Sequence, residues 1–289
     1  MELPRFSPRR ELGQTGFVAT SVGIGDLADP ELGLEACVAL ARRALDAGLN
    51  VIDTAPNYSD GLSERIVGAA VGPRRGEVFV IDKIDRLDEE VLPQVDASIE
   101  RLGFAPDLFV FHSVSREHDW ERRMTELEAA RAKGKCRFRG ISSHDPDIVR
   151  RAIESRLCDV VMFAVGPYVD ARYTDELLPL ARERRVGVVS FKTLGAGKLV
   201  ADSKGYGEPS EMKGLPRLTV EECVRATLTF DPDVALIGMS TEAEQDAALT
   251  AVARFAPFPP QEQAAVLARA KKSIENKGEC WWNPERTIT

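Results

Sequence analysis

Four side chains that can donate, accept or steer protons stand at or just beyond the ends of strand-like segments. They are Asp53, Tyr58, Lys83 and His112. Lys83 and His112 each close a run of apolar residues, and Tyr58 follows Asp53 by five positions. An acid, a phenol, an amine and an imidazole brought together would form a proton-transfer site. The elements around them decide whether they meet.

Two alternating kinds of segment fill the chain, with breakers such as Gly48 and Gly134 between them. Short runs rich in Val, Ile and Phe predict strands buried on both faces. We predict eight strands: Ser21–Gly25, Asn50–Asp53, Val78–Lys83, Asp107–His112, Phe138–Ser142, Asp159–Phe163, Gly187–Lys192 and Val234–Gly238. Longer amphipathic runs predict eight helices: Leu34–Ala47, Ser63–Val71, Glu89–Arg101, Trp120–Ala132, Pro146–Ser155, Asp175–Arg184, Thr219–Thr229 and Thr241–Val252.

Eight strand–helix units predict an α/β fold, a closed parallel (β/α)8 barrel, with an open doubly wound sheet as the alternative. Two additions flank the barrel. Arg10–Phe17 has the composition of a hairpin that closes the barrel bottom, and Pro260–Asn276 predicts an extra helix followed by a tail with Trp281 and Trp282. In such a barrel the carboxyl ends of the strands form one face, so Asp53, Lys83 and His112 are expected side by side.

Composition limits the function classes. The 289 residues are 44% hydrophobic, carry a formal net charge of −8 and contain no linker-like tract, so we expect one domain over residues 1–289. The negative charge disfavours nucleic-acid and anionic membrane partners, because both attract clustered Lys and Arg. We expect a small-molecule substrate and a monomer or small homo-oligomer.

The cysteines and the N-terminus predict a cytoplasmic protein. Five cysteines without a C-x-x-C pair predict reduced thiols rather than disulfides or a zinc site, and no apolar signal core follows Met1. No H-E-x-x-H or similar spacing occurs, so we expect no catalytic metal.

The chain resembles an aldo-keto reductase over nearly its whole length. The resemblance is carried by Leu12-Gly13-x-Thr15-Gly16 with Gly23-Ile-Gly25, by Asp53-Thr-Ala-x-x-Tyr58 with Ser63-Glu64, by Lys83 and His112, and by Gly134-Lys135 with Gly140-Ile-Ser142. It implies NAD(P)H-dependent reduction of an aldehyde or ketone, or the reverse reaction. It also implies roles: Tyr58 donates the proton, Lys83 lowers the phenol pKa, Asp53 holds Lys83, and His112 donates a hydrogen bond to the carbonyl oxygen.

The resemblance also implies where the cofactor lies. It places the nicotinamide near the fifth and sixth strands, the pyrophosphate after the seventh, and the adenosine end at the eighth strand and its helix. The residues implied as cofactor-binding are Gly25, Ser142, Ser143, Lys192, Leu194, Gly195, Gly197, Gly238, Ser240, Thr241 and Gln245. The polar segment Val200–Leu218 is expected to fold over the cofactor as a lid.

The chain departs from the family pattern in its cofactor-holding half. Ser143 stands where the family has Asn, Met162 where it has Gln, and Ala248 near another usual Asn. A thioether cannot replace the hydrogen bonds of an amide. The resemblance implies NADPH, whereas the acidic residues after Thr241 disfavour its 2′-phosphate, so NADH stays open.

Three alternatives follow from the same residues. A non-catalytic barrel that binds nucleotide as a regulatory or partner subunit would tolerate the altered positions. A glycosidase would use two facing carboxylates, with Asp53 and Glu64 as the nearest candidates, but would leave Tyr58 and Lys83 without a role. A C-terminal iron–sulfur cluster, as in a subgroup of similar sequences, is excluded because Cys280 stands alone there.

Overall fold

Eight parallel strands close into a barrel in the computed structural model, which describes residues 3–283. The barrel strands are β3 (Val22–Ile24), β4 (Val51–Asp53), β5 (Phe79–Ile84), β6 (Leu108–Phe111), β7 (Phe138–Ser142), β8 (Val160–Ala164), β9 (Gly187–Phe191) and β12 (Val234–Ile237). Strand β12 pairs with both β9 and β3, which closes the ring. The predicted (β/α)8 barrel is therefore confirmed. Residues 1–2 and 284–289, the ends of the predicted domain, lie outside the described residues.

The strands are buried on both faces, as their apolar runs predict. Every residue of β4, β5, β6, β8 and β12 is buried, because the barrel interior covers one face and helices cover the other. The helices are α1 (Leu34–Asp46), α2 (Leu62–Val71), α3 (Val91–Leu102), α4 (Trp120–Ala132), α5 (Pro146–Ser155), α6 (Leu178–Arg184), α7 (Val220–Thr229), α8 (Glu242–Ala253) and α9 (Pro260–Ile274).

Several helix boundaries differ from the prediction by one to three residues, and two of these differences have a clear backbone cause. Helix α6 begins at Leu178 rather than at residue 175, because a single π-helical turn over Tyr173–Leu177 precedes it. The extra helix α9 ends at Ile274 rather than at residue 276, since Asn276 takes a left-handed backbone conformation with φ 57°. Among residues 3–283, no helix combines the length and apolar character that a membrane span requires.

A short hairpin closes the amino-terminal end of the barrel. Strand β1 (Arg10–Glu11) pairs antiparallel with β2 (Val18–Ala19). Leu12 between them is fully buried and packs in one cluster with Phe79 and other side chains of the barrel interior. Its side chain fills the space beside Gly187, where a Cβ would lie 2.9 Å from Leu12 Cδ1. The plug leaves the opposite end of the barrel as its open face.

The carboxyl-end face is bordered by a second hairpin and by the tail after α9. Strands β10 (Ser203–Gly205) and β11 (Glu208–Pro209) lie within the predicted lid segment 200–218. Trp282 is fully buried, and its indole N–H donates a 2.9 Å hydrogen bond to the carbonyl oxygen of Tyr168. Trp282 thus packs the tail onto the body of the barrel.

Candidate active site

The strand ends bring the four predicted proton-transfer residues to one place. Asp53 is the last residue of β4, and Lys83 is the next to last of β5. His112 follows β6 directly, and its backbone N–H bonds to the carbonyl of Ile84 at 2.9 Å. Tyr58 is carried by the turn after β4, where its N–H bonds to Ala55 O at 3.2 Å. All four side chains therefore border the open face.

Lys83 is the centre of this group. Its ammonium lies 2.8 and 2.7 Å from the two carboxylate oxygens of Asp53 and 2.7 Å from the carbonyl oxygen of Thr54. A lysine has three N–H donors, and these three acceptors match that number. The same ammonium lies 4.4 Å from the centre of the Tyr58 ring, within cation–π range. Both Lys83 and Asp53 are buried, so their charges act on Tyr58 with little screening by solvent.

His112 faces Tyr58 and is held from behind by Asp85. The rings of His112 and Tyr58 meet edge to face with centroids 5.8 Å apart. His112 Nδ1 lies 2.5 Å from Asp85 Oδ1, and the other carboxylate oxygen, Oδ2, accepts a 2.9 Å bond from the backbone N–H of Asn57. Sequence reasoning missed Asp85. The signal was its position two residues after Lys83, directly beyond the end of β5, where the alternation of a strand would direct it to the same face as Lys83.

The net pKa of Tyr58 is raised, although Lys83 lowers it as expected. Burial is the largest cause, and the charge of Lys83 offsets only part of it. Burial alone lowers the pKa of Lys83, but Asp53 and Tyr58 together outweigh that effect and the net pKa is raised. Burial also lowers the pKa of His112, while the hydrogen bond to Asp85 opposes this shift. Near neutral pH the site therefore holds a neutral phenol, an ammonium and a neutral imidazole.

A second layer of buried acids lies behind β5. Asp82 Oδ1 accepts a 2.8 Å bond from the Lys83 backbone N–H, whereas Oδ2 is buried and finds no partner in the part of the chain that the structure describes. Burial and the nearby charge of Glu64 raise the pKa of Asp82 well above its usual range. Glu64 is fully buried and paired with Arg101. Asp53 and Glu64 are thus both committed to cations, which leaves the glycosidase alternative without its carboxylate pair.

Ser142 and Ser143 hold the loop that follows His112. The Ser142 hydroxyl accepts a 2.8 Å bond from Ser113 N–H, and the Ser143 hydroxyl donates a 2.6 Å bond to Val114 O. Ser143 also accepts from Asp145 N–H at 3.1 Å, so its single O–H donor and one of its lone pairs are used inside the protein. Ser142 keeps its O–H donor for another partner. Met162 lies buried beside them in the barrel interior.

The segment after β9 makes a tight, strained turn. Lys192, Gly195, Ala196 and Gly197 have φ angles of 71°, 56°, 54° and 87°. The Lys192 ammonium donates a 2.6 Å bond to the Tyr206 hydroxyl. It also lies 4.9 to 5.8 Å from the ring centres of four aromatic residues, Phe191, Tyr206, Trp281 and Trp282. Leu194 is half-buried and packs into the core.

The backbone segments that follow β3 and β12 approach each other closely at Gly25 and Gly238, where the barrel closes. Gly25 N–H bonds to Ile237 O at 3.0 Å, and a Cβ on Gly25 would lie 3.2 Å from the Gly238 nitrogen. Gly238 itself is exposed, and a Cβ there would meet only Asp26 O at 3.7 Å within 4 Å. Gly25 and Gly238 thus leave a shallow depression, here called the glycine cradle, which side chains at these two positions would fill.

The start of α8 is closed by its own side chains. Thr241 Oγ1 accepts a bond from Glu244 N–H, and Glu244 Oε2 accepts one from Thr241 N–H. Half-buried Ser240 lies just before this cap. Gln245, by contrast, is fully buried: its amide donates to Leu40 O and accepts from Arg43. The structure therefore does not bring Gln245 to the open face, because the NH2 group and the oxygen of its side-chain amide both form hydrogen bonds with α1.

His144 presents an unpartnered polar atom at the same face. Its Nδ1 is buried and has no hydrogen-bond partner among residues 3–283, and its ring packs edge to face on Phe191 at 5.2 Å. Burial and the charge of Lys192 lower its pKa to about 3. An orphaned ring nitrogen, the spare donor of Ser142 and the glycine cradle together fit a polar, planar ligand across the barrel mouth.

Comparisons with known proteins agree with this geometry. The model of the Aldo/keto reductase family matches residues 22–265. An aldo-keto reductase of Gibberella moniliformis is 28% identical over 204 residues, covering 66% of this chain and 62% of its own length. The NADH-specific methylglyoxal reductase of Escherichia coli is 28% identical over 216 residues, 65% of each chain. In fold, an aldo-keto reductase from Bacillus halodurans superposes with a TM-score of 0.73 at 22% identity, over 93% of this chain and 97% of its own.

Proposed function

We propose that this chain, which belongs to the aldo/keto reductase family, is an NAD(P)H-dependent oxidoreductase that interconverts a carbonyl compound and its alcohol at the site of Tyr58. The observation that carries the proposal is the contact of one buried ammonium, Lys83, with both Asp53 and the ring of Tyr58. A protein that only bound nucleotide would have no use for a buried charge pair against a phenol. The non-catalytic alternative has no observation in its favour.

Tyr58 holds the proton that the reduced substrate needs. Its raised pKa keeps the phenol protonated near neutral pH, and an alkoxide is a far stronger base than a phenolate, so the transfer runs downhill. Lys83 stabilises the phenolate that remains, because its charge lies against the ring in a buried site. Asp53 fixes Lys83 through both carboxylate oxygens. His112 lies on the other side of Tyr58 and orients the substrate oxygen.

The chain's polar groups at the barrel mouth suit a nicotinamide dinucleotide. When bound, that cofactor supplies or removes the hydride. We propose that the cofactor is bound by Gly25, Gly238, Ser142 and the turn Lys192–Gly197. Gln245 and the hydroxyl of Ser143 are not included, because they already form hydrogen bonds within the protein. The Lys192 ammonium would exchange its aromatic neighbours and the Tyr206 hydroxyl for a phosphate oxygen.

We propose NADH as the preferred cofactor, although the resemblance implies NADPH. Glu242 and Glu244 lie in the first turn of α8, where Glu244 caps the helix with its carboxylate. Arg43, the cation next to this turn, is paired with Asp246 at 2.6 Å. A 2′-phosphate would therefore meet negative charge at this helix start. The NADH-specific relative in Escherichia coli is consistent with this preference.

A substitution of Tyr58 tests the function. We expect the purified protein to oxidise NADH in the presence of at least one compound from a panel of aldehydes and ketones. Tyr58→Phe should lower kcat by about 10²- to 10⁴-fold, the usual contribution of a positioned proton donor. Tyr173→Phe is the matched control, because the Tyr173 hydroxyl lies outside the site and is buried without a partner among the described residues, 3–283. Cofactor binding without turnover of any compound would refute the enzyme proposal.

A further inference from the structure

The two oxygens of Asp85 have different partners, and this fixes what each can do. Oδ2 accepts from the N–H of Asn57 at 2.9 Å, while Oδ1 lies 2.5 Å from His112 Nδ1. Both side chains are nearly buried, with 16% of each exposed. A carboxylate only accepts hydrogen bonds, so the ring nitrogen facing it must carry a hydrogen. The proton of a neutral His112 therefore lies on Nδ1.

This tautomer changes what His112 can offer a substrate. A neutral imidazole has one N–H and one lone pair, so a proton on Nδ1 leaves Nε2 as an acceptor. An alcohol hydroxyl can donate to that lone pair. A carbonyl oxygen carries only lone pairs and gains nothing from it, unless the ring takes up a second proton and Nε2 becomes a donor.

We propose that Asp85 is a positioning residue that fixes the proton of neutral His112 on Nδ1, so that the site binds an alcohol with His112 neutral and a carbonyl with His112 protonated. The proposal rests on the proposed function and deepens it. Tyr58 remains the group that exchanges a proton with the substrate oxygen. His112 selects between the two substrate forms according to its own protonation state.

The charged and titratable groups around His112 set the pH at which this selection operates. Asp85 faces it from the loop after β5, Lys83 from β5, Asp53 from β4, Tyr58 from the turn after β4, and His144 from beyond β7. Burial is the largest influence and lowers the pKa of His112, Asp85 raises it and Lys83 lowers it. The net pKa lies below 6.5, so the ring is mostly neutral at pH 7 and the alcohol form is favoured there.

Asp85→Asn reverses the tautomer without removing the loop contact. The single oxygen of the new amide is needed by Asn57 N–H, so its NH2 group turns toward His112 Nδ1. An NH2 group donates, which forces Nδ1 to accept and moves the proton to Nε2. A neutral His112 can then donate to a carbonyl.

The first readout is the ring itself and needs no activity. The chain has only three histidines, so ¹⁵N–¹H correlation spectra of the imidazoles can be assigned with His118→Gln and His144→Gln. We expect the neutral ring of His112 to carry its proton on Nδ1 in the wild type and on Nε2 in Asp85→Asn. A wild-type ring protonated on Nε2, or a variant with an unchanged tautomer, would overturn the proposal.

The second readout separates binding from turnover between pH 5 and 9. In the wild type, KM for the carbonyl should rise about tenfold per pH unit above the pKa of His112, because only the protonated fraction binds it, while KM for the alcohol should level off. In Asp85→Asn, KM for the carbonyl should become flat over that range. Asp60→Asn removes the same charge from the exposed turn beside Tyr58 and should keep the wild-type profile.

The outcomes separate this inference from the proposed function. A tautomer that moves while both KM profiles stay as in the wild type would refute the link to substrate selection. If no carbonyl or alcohol is turned over, the proposed function fails, whereas the ring spectra still decide whether Asp85 fixes the proton.

Discussion

Lys198 and Lys277 are both buried, and each hydrogen-bonds the backbone of the other. Lys198 Nζ donates to the carbonyls of Lys277 and Glu279 at 3.1 and 2.6 Å, and Lys277 Nζ donates to those of Lys198 and Ala201 at 2.8 and 2.7 Å. Among residues 3–283 neither lysine forms an ion pair with a carboxylate, and burial lowers the pKa of both. The pair joins the turn after β9 to the tail that carries Trp281 and Trp282.

Removal of one of these lysines should loosen the tail. Lys277→Met keeps an unbranched side chain but leaves the carbonyls of Lys198, which is buried, and of Ala201, which is partly buried, without their donor. An unsatisfied buried group costs about 1–3 kcal/mol, so we expect the free energy of unfolding to fall by about 2 kcal/mol or more. Urea unfolding measures this change. Lys271→Met, on the exposed face of α9, is the matched control, and equal midpoints for the two variants would contradict the prediction.

The charge at the start of α8 should control cofactor choice. Glu244→Gln keeps the cap, because Gln can replace Glu in a capping box, but removes one negative charge. We expect KM for NADPH to fall about two- to fivefold relative to KM for NADH, since one charge at a helix terminus contributes about 0.3–1 kcal/mol. Glu262→Gln removes a charge from the first turn of α9 and should leave the ratio unchanged. A constant ratio in Glu244→Gln would place the 2′-phosphate elsewhere.

The strand–helix periodicity of the sequence predicts the barrel and the positions of residues at its strand ends. It does not predict contacts that depend on loop conformation and burial. Asp53, Lys83 and His112 end successive parallel strands, so the repeat alone places them on one rim. Gln245 lies in the first turn of α8, where the resemblance implies the adenosine end of the cofactor. Its hydrogen bond with Arg43, which the sequence cannot show because the two residues are 202 positions apart, turns its amide inward. Lys83 lowers the pKa of Tyr58, as its charge predicts, but burial, which the sequence does not give, outweighs this effect and the net pKa is raised.

His144 should make stability depend on pH. Its pKa is about 3 in the folded protein, against an ordinary value of 6.5, so the unfolded chain binds a proton that the folded protein does not. Its contribution to stability is therefore complete above pH 6.5 and is lost as the pH falls toward 3, by at most about 1.4 kcal/mol per pH unit. Urea unfolding at pH 7 and pH 5 should show a smaller loss for His144→Gln than for the wild type. His118→Gln should keep the wild-type difference, and equal losses in all three proteins would contradict the assignment.

Gly68 should be intolerant of alanine although it lies inside a helix. Alanine in a helix interior usually stabilises by about 1 kcal/mol relative to glycine. In α2, however, a Cβ on Gly68 would lie 2.4 Å from the carbonyl oxygen of Leu102, the last residue of α3, so the two helices would have to move apart. We expect Gly68→Ala to lower the free energy of unfolding by about 1–3 kcal/mol, the usual cost of overpacking. Gly76→Ala, where a Cβ meets nothing within 4 Å, should change it by no more than about 0.5 kcal/mol. A Gly68→Ala protein as stable as the wild type would show that α2 and α3 are not in tight contact there.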